Sequence, residues 1–248
     1  MALQALIFDV DGTLAETERD GHRVAFNQAF DEAGFDWNWS GEFYGELLKV
    51  TGGKERLRYY LKTYQPDFEP AQDLDDFIIN LHERKNYYHQ QRLASGIIPL
   101  RPGVKRLIEE ARNKGLRLAI ATTSDVPNVM ALLEKRLDPE WFEVIAGGDM
   151  VSQKKPAPDI YNYTLSQLSL TASECLVFED SQAGLMAATQ AGLKTIVTVN
   201  DYTQNEDFSD AILVLSHLGE PDQPLTVISG QLKDVSYLDL NALNQLNL

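Results

Sequence analysis

The stretch Ala5–Leu14, with the sequence ALIFDVDGTL, decides how the chain is organised. It opens with an apolar run that is typical of a short, buried parallel strand. Asp9 and Asp11 follow, and Gly12 permits a tight turn directly after them. Side chains two positions apart on a strand point the same way, so both carboxylates would reach the mouth of the sheet. Like charges this close repel unless a cation lies between them or one carboxylate is protonated. Taken alone, the stretch fits a simple turn equally well, because Asp and Gly are common turn residues.

Length and composition limit the classes of protein to which the chain can belong. Its 248 residues suit one large domain or two smaller ones, and 44% of them are hydrophobic. The net charge of −15 argues against nucleic acid and anionic membranes as partners, but not against a small anionic substrate. No apolar run approaches the length of a membrane span, and residues 3–8 are too short for a signal peptide.

The single cysteine, Cys175, excludes an internal disulfide and fits a reducing compartment. We expect a monomer in the cytoplasm, or in the plastid stroma if a transit peptide has been removed.

The chain changes character after Leu14. From Glu16 to about His89 it shows helical periodicity and no buried-strand runs, with Pro66 and Pro70 as breaks. We therefore predict an α-helical insert over residues 15–96, between two parts of a core formed by residues 1–14 and 97–248. The aromatic and leucine stripes of the insert are interpreted as its own hydrophobic core.

From Ile97 onward, helical and strand patterns alternate. The patterns predict helices at 102–114, 127–137, 159–168 and 182–191, and strands at 116–121, 142–146, 175–178, 195–199 and 211–215. Such alternation predicts an α/β fold, a doubly wound parallel sheet with helices on both faces. For the tail, 225–248, both a closing strand and a short helix remain open.

Polar residues follow the predicted strands, beyond whose carboxyl ends α/β sheets bind ligands. Asp9 and Asp11 follow the first strand, Thr122–Ser124 the next, Lys155 the third, and Glu179–Asp180 the fourth. Each has an ordinary explanation: a helix cap for the hydroxyl run and for the second acid pair, and a solvated loop position for the lysine. Their convergence on one rim makes chance the poorer explanation.

Together these groups indicate phosphoryl transfer. A cluster of carboxylates favours Mg²⁺, which prefers carboxylates together with water and phosphate oxygens. One carboxylate can attack phosphorus, and a second carboxylic acid can protonate the leaving alkoxide. A lysine and a threonine hydroxyl can hold the phosphoryl oxygens, whose charge must be stabilised in the transition state.

The residues that carry this chemistry form four motifs, which are Asp9–Leu14, Thr122, Lys155–Asp159 and Glu179–Ser181. In type, order and strand-end placement they resemble the motifs of the haloacid dehalogenase-like (HAD) phosphohydrolases. An insert directly after the first motif resembles the helical cap domain of the beta-phosphoglucomutase-like branch. The resemblance covers essentially the whole chain and implies a Rossmann-like core with an inserted α-helical cap.

The resemblance also implies a role for each matching residue. Asp9 would be the nucleophile, and Asp11 would be the general acid and then the base for the attacking water. Thr122 and Lys155 would bind the transferring phosphoryl group. An acid at position 11 favours phosphate esters, because relatives that cleave carbon–phosphorus or carbon–halogen bonds lack it.

A metal site is implied in the same way. Mg²⁺ would be bound by Asp9, Asp180 and the backbone carbonyl of Asp11, with Glu179 as a further ligand or as support for the others.

The linking segments resemble the CbbY family, including Thr51–Arg56, Pro127–Val129 and Gly148–Val151. That resemblance implies hydrolysis of xylulose 1,5-bisphosphate, an inhibitory by-product of Rubisco, to xylulose 5-phosphate. Independently, glycines at a helix start beside Lys54 and Arg56 favour an anion, such as a second phosphate. Beyond Thr122 and Lys155, family analogy extends the substrate contacts to Glu16, His22, Thr51, Gly52, Gly53, Lys54, Arg56, Thr123 and Ser124. For His22 an exposed helix position, and for Arg56 an ion pair with a nearby acid, are the alternatives.

Other functions stay open. A beta-phosphoglucomutase-type isomerase would use the same Asp9 and Asp11, and another phosphosugar or phosphoglycolate phosphatase would share the fold. A Mg²⁺-dependent binding or receiver-like module also uses aspartates and a Lys-Pro pair, although the helical insert and Asp11 argue against it.

Overall fold

A seven-stranded sheet carries the candidate residues in the computed structural model, which describes residues 3–50, 52–233 and 235–246. The strands are β1 Ala5–Phe8, β2 Arg117–Ala121, β3 Val144–Ala146, β4 Cys175–Glu179, β5 Lys194–Thr198, β6 Leu213–Leu215 and β7 Val227–Gly230. They lie in the order β3-β2-β1-β4-β5-β6-β7, and all neighbours are parallel except β6 and β7.

The central position of β1 explains why the motifs meet. β1 pairs with β2 and β4 in a register that sets Phe8 level with Ile120 and Phe178. The rings of Phe8 and Phe178 stack with their centroids 4.7 Å apart. The residues that follow these three strands therefore emerge side by side at one edge of the sheet.

Helices surround the sheet and form the insert. They are α1 Arg23–Glu32, α2 Gly41–Leu47, α3 Gly53–Tyr64, α4 Leu74–Ser95, α5 Val104–Asn113, α6 Val126–Arg136, α7 Asp159–Leu168, α8 Gln182–Gln190 and α9 Leu240–Leu243. Ala5 and Ile7 of β1 share a buried cluster with Ile160 of α7 and Ala187 of α8, and α5 packs against β2. The predicted α/β class with a mostly parallel sheet is confirmed.

The C-terminal part of the chain contains both of the elements left open for it. β7 lies at 227–230 and pairs antiparallel with β6, which the alternating pattern does not predict because most of this strand is exposed. The leucine-rich tail contributes α9, a short helix whose Leu243 is buried. The tail thus supplies both a strand and a helix.

The chain divides into two compact units. The sheet unit runs to Glu16 and resumes at Pro99, and the helical unit is Thr17–Ile98. Both boundaries lie two positions later than the predicted ones, because Ala15 and Leu100 form an antiparallel bridge within the sheet unit. No helix among the described residues is both long enough and apolar enough to cross a bilayer.

The helical unit has an aromatic core of its own, as expected. Phe26 and Phe30 of α1 contact Trp39, with ring centroids 4.7 and 4.9 Å away, and Tyr60 of α3 lies 5.2 Å from the same ring. Trp39 is fully buried, so these stripes serve packing.

Candidate active site

The charged centre of the sheet unit is the Lys155 ammonium. Its Nζ donates to Oδ1 of Asp9 at 2.6 Å, to Oε1 of Glu179 at 2.5 Å and to the carbonyl of Ala121 at 2.9 Å. All three charged side chains are buried. Burial by itself would lower the pKa of the ammonium, but the Asp9 and Glu179 charges raise it. Lys155 therefore carries a full positive charge beside the predicted nucleophile.

Three buried carboxylates surround this lysine. Asp9, Glu179 and Asp180 each offer an oxygen, and these oxygens lie within 4.8 Å of one another. Burial, followed by the Glu179 and Asp11 charges, raises the pKa of Asp9 to about 7 against the pull of Lys155. Burial and the Asp9 and Glu179 charges raise the pKa of Asp180 well above its usual range.

The cluster thus holds more negative charge than one ammonium can offset. A divalent cation would supply the missing charge, and an all-oxygen donor set suits Mg²⁺. The residues present fit the implied metal.

Asp11 lies in the turn after β1, two residues beyond Asp9, and accepts a hydrogen bond from a hydroxyl group. Ser124 Oγ donates to Oδ2 of Asp11, and the Ser124 amide donates to Oγ1 of Thr122 at 3.2 Å. The loop after β2 thereby holds the carboxylate that follows β1. Ser124 is predicted as a substrate contact, and the structure brings it to the predicted general acid.

The same loop places both threonines. Thr122 is buried and its amide donates to Ala146 of β3 at 3.1 Å. Thr123 lies against Gly148, where an added Cβ would sit 2.2 Å from the Thr123 carbonyl oxygen. Lys154 donates to that carbonyl at 3.2 Å. The loop after β3 therefore supports the loop after β2 at close range.

Three further residues contact the site or its support, and sequence reasoning does not find them. Tyr161 of α7 donates its hydroxyl to Oε1 of Glu179, and burial raises the pKa of this tyrosine well above its usual range. Asn200 Nδ2 donates to Oδ2 of Asp180 at 2.7 Å. Arg101 is buried among backbone carbonyls near the turn after β1. Of these three, Asn200 could have been found from the sequence, because it directly follows the predicted strand at 195–199.

The predicted contact Glu16 belongs to the sheet unit. Its Oε1 lies 3.0 Å from Nε of Arg101, whose side chain is 4% exposed. Glu16 is therefore held by an ion pair at the point where the first segment of this unit ends.

The remaining predicted substrate contacts belong to the helical unit, and Thr51 lies outside the described residues. His22 is not on an open helix face: its ring stacks on His89 with centroids 3.7 Å apart, and Lys85 Nζ lies 2.6 Å from its Nδ1. Burial, together with the charges of His89 and Lys85, lowers the pKa of His22 well below its usual range. This imidazole is neutral at pH 7.

Arg56 is buried in a network inside the helical unit. It donates to the Leu47 carbonyl at 3.2 Å and to the Tyr44 hydroxyl at 3.0 Å, and Tyr44 donates to Glu18 at 2.6 Å. The acid near Arg56 is thus reached through a tyrosine rather than directly.

Gly52, Gly53 and Lys54 lie at the start of α3. Gly52 has φ +94°, and its carbonyl accepts the Arg56 amide at 2.9 Å. An added Cβ on Gly53 would sit 2.3 Å from Nε2 of His82. The glycines therefore bring the helix start close to neighbouring side chains, where a Cβ would collide.

The sequence of this chain is similar to a known family of hydrolases and to several of its members. The profile of the haloacid dehalogenase-like hydrolases matches residues 6–198. The plasmid-encoded CbbY protein of Cupriavidus necator is 46% identical over 226 residues, which cover 90% of this chain and 89% of that protein. CbbY of Rhodobacter capsulatus is 49% identical over 214 residues, covering 85% and 92%.

A solved structure is similar in fold as well. It is a CbbY variant from Rhodobacter sphaeroides in complex with xylulose-(1,5)bisphosphate, with a TM-score of 0.76 and 44% identity. The alignment covers 87% of this chain and 94% of that one.

Proposed function

The chain belongs to the haloacid dehalogenase-like hydrolase family, in which its relatives include CbbY proteins, and we propose a specific phosphatase reaction for it. The protein hydrolyses xylulose 1,5-bisphosphate to xylulose 5-phosphate and phosphate, through an aspartyl phosphate on Asp9 and with Mg²⁺. The buried cluster of Asp9, Lys155, Glu179 and Asp180 carries this proposal. The substrate is suggested by the bisphosphate in the related R. sphaeroides structure.

Mg²⁺ would be held by the carboxylates of Asp9 and Asp180 and the backbone carbonyl of Asp11, with Glu179 as a further ligand or as support. When bound, the ion would supply positive charge that offsets the charge on the phosphoryl oxygens.

In the first half-reaction, a carboxylate oxygen of Asp9 forms a bond to phosphorus while the bond from phosphorus to the sugar oxygen breaks. Asp11 gives its proton to that sugar oxygen, so the sugar leaves as an alcohol. Lys155, already 2.6 Å from Asp9, and the Thr122 hydroxyl hold the phosphoryl oxygens. Charge on these oxygens is what must be stabilised in phosphoryl transfer.

In the second half-reaction, water attacks the phosphorus of the aspartyl phosphate. Asp11, now ionised, takes the proton of that water, and the bond between phosphorus and the Asp9 oxygen breaks. Phosphate leaves, and both aspartates regain their starting states. The hydrogen bond from Ser124 holds Asp11 in place for both proton transfers.

The helical unit would recognise the rest of the substrate. Gly52, Gly53 and Lys54 at the start of α3 offer backbone amides and a positive charge, which suit a second phosphate. His22, neutral because it is buried, would offer hydrogen bonds to sugar hydroxyls rather than a charge. Arg56 would act by holding Tyr44 and Leu47 in place.

A panel of sugar mono- and bisphosphates, assayed for phosphate release with Mg²⁺, tests the proposal. We expect the highest kcat/KM with xylulose 1,5-bisphosphate, and we expect Asp9→Asn to lose several orders of magnitude in kcat because the nucleophile is removed. Unchanged phosphate release by Asp9→Asn would contradict the mechanism. Interconversion of hexose phosphates that depends on a bisphosphate activator, without net phosphate release, would assign the protein to the mutases instead.

A further inference from the structure

We infer that Arg101 is a positioning residue for the carboxylate cluster: it fixes the turn after β1 relative to the end of β5, and through them it places Asp180. This inference rests on the proposed function, since it concerns the metal affinity of that same site.

On one side, Arg101 binds the turn that carries the two motif aspartates. Its Nη1 donates to the Gly12 carbonyl, and its backbone amide donates to the Leu14 carbonyl at 2.9 Å. Its Nε lies 3.0 Å from Glu16. The side chain is 4% exposed, so water does not compete for these contacts.

On the other side, the same guanidinium binds the ends of two neighbouring strands. Nη1 also donates to the Thr198 carbonyl at 2.9 Å, and Nη2 donates to the carbonyls of Val199 at 2.5 Å and Ser216 at 2.9 Å. One planar group therefore joins the β1 turn to the ends of β5 and β6.

Asp180 lies between the two parts that Arg101 joins. A Cβ added to Gly12 would sit 2.2 Å from Oδ2 of Asp180, so the turn and the carboxylate are in close contact. Asn200, the residue after Val199, donates to the same oxygen at 2.7 Å. A shift of either Gly12 or Val199 must therefore displace Asp180 or break its hydrogen bond.

The geometry calls for an arginine rather than any cation. Arginine presents five N–H donors in a rigid plane, whereas lysine has three donors on one flexible nitrogen. A lysine at position 101 keeps the charge but cannot reach Gly12, Val199 and Ser216 together. Charge alone is thus preserved in Arg101→Lys, and the spacing of the site is not.

The test is equilibrium binding of Mn²⁺, as a probe for Mg²⁺, to substrate-free protein by electron paramagnetic resonance. We expect Arg101→Lys to weaken binding by about 10-fold or more, the usual effect of losing a residue that orients a metal ligand. Arg106→Lys is the matched control, because Arg106 also donates to backbone carbonyls, those of Leu238 at 3.0 Å and Gly219 at 2.8 Å. We expect its Mn²⁺ affinity to stay within about 2-fold of the wild type, since neither carbonyl belongs to the site.

Asp180→Asn and Asn200→Ala distinguish a failure of this inference from a failure of the proposed metal site. Asp180→Asn should abolish tight binding, and if it binds Mn²⁺ like the wild type, the proposed metal site itself is wrong. If Asp180→Asn is impaired while a folded Arg101→Lys keeps wild-type affinity, the role of Arg101 is overturned and the proposed function stands. If thermal melts show that Arg101→Lys does not fold, Asn200→Ala takes its place, because it removes the hydrogen bond that connects the end of β5 to Asp180. Wild-type affinity in Asn200→Ala would then overturn the inference.

Discussion

Lys155 contributes both to the stability of the sheet unit and to the proposed phosphoryl transfer. Its ammonium forms ion pairs with both Asp9 and Glu179, and its side chain is 6% exposed. Removing one member of a buried ion pair leaves the other charge without compensation, which is far more costly than losing an exposed pair. The lysine beside it in sequence, Lys154, is exposed and donates to the Thr123 carbonyl.

We expect Lys155→Met to lower the free energy of unfolding by about 3 kcal/mol at pH 8, and to abolish phosphate release. The loss should shrink as the pH falls below 7, because protons then neutralise Asp9, whose pKa burial raises to about 7. Lys154→Met is the control and should change stability by less than about 0.5 kcal/mol. Urea unfolding and kcat of both variants measure this. Equal effects of the two substitutions would show that the buried pairs do not matter.

Gly12 provides a second prediction for a single residue. It has φ +83°, and an added Cβ would meet Asp180. Gly115 has nearly the same φ, +79°, with nothing within 4 Å of an added Cβ. Both alanine variants should pay about 1 kcal/mol for the left-handed backbone. Only Gly12→Ala should displace the carboxylate and lower kcat, by about 100-fold. Similar kcat values for the two variants would contradict the close contact between the turn and Asp180.

Secondary structure elements show where sequence reasoning works. α7 is predicted at 159–168 and found at Asp159–Leu168, because Pro158 precedes it and Ser169, with φ 53°, ends it. β3 is shorter than predicted, since Pro139–Trp141 forms a helical turn that delays the strand to Val144. A closing strand stays open for the tail, but the sequence does not locate β7 within it, because an exposed edge strand lacks the alternation that burial imposes.

The residues of the candidate site likewise include some that the sequence predicts and some that it does not. The strand-end acids Asp9, Glu179 and Asp180 are predictable because parallel strands deliver their ends to one edge. Arg101 and Tyr161 are not, because their partners lie far away in sequence and only the finished fold brings them together. No local pattern distinguishes a buried arginine at a helix start from an exposed one.

Three histidines of the helical unit, His22 directly before α1 and His82 and His89 in α4, make its stability depend on pH. Burial, followed by nearby positive charges, lowers the pKa of His82 to about 4, and burial also lowers that of His22 and His89. Unfolded histidine titrates near 6.5. Below that pH the unfolded chain binds protons that the folded unit excludes, so stability is full above pH 6.5 and falls as the pH is lowered.

His82→Gln tests this effect, because it removes one titrating ring. The stability difference between wild type and variant should shift by roughly 1 kcal/mol in favour of the variant between pH 7.5 and pH 5, after allowance for partial solvent screening. Urea unfolding at both pH values measures it. Taking the difference cancels the buried carboxylates of the sheet unit, whose raised pKa values act in the opposite direction. A pH-independent difference would show that His82 titrates normally.

For the whole molecule, the excess of buried negative charge predicts metal dependence. EDTA should abolish activity, and Mg²⁺ at 100 times its Kd should raise the free energy of unfolding by about 3 kcal/mol. Ca²⁺ should restore activity poorly, because it has looser coordination geometry than Mg²⁺. Thermal melts with and without each ion give the comparison, with Asp180→Asn as the control that should not respond. Stabilisation of Asp180→Asn equal to that of the wild type would place the ion elsewhere.

The placement of the tryptophans makes the two units distinguishable by light. Trp37 and Trp39 are buried in the aromatic core of the helical unit, and the third of the three, Trp141, lies in the sheet unit under the guanidinium of Arg112. Emission excited at the indole band thus reports mainly on the helical unit, and far-ultraviolet circular dichroism reports on both. A melt followed by the two signals together separates the unfolding of the helical unit from that of the sheet that holds the chemistry, without any added label.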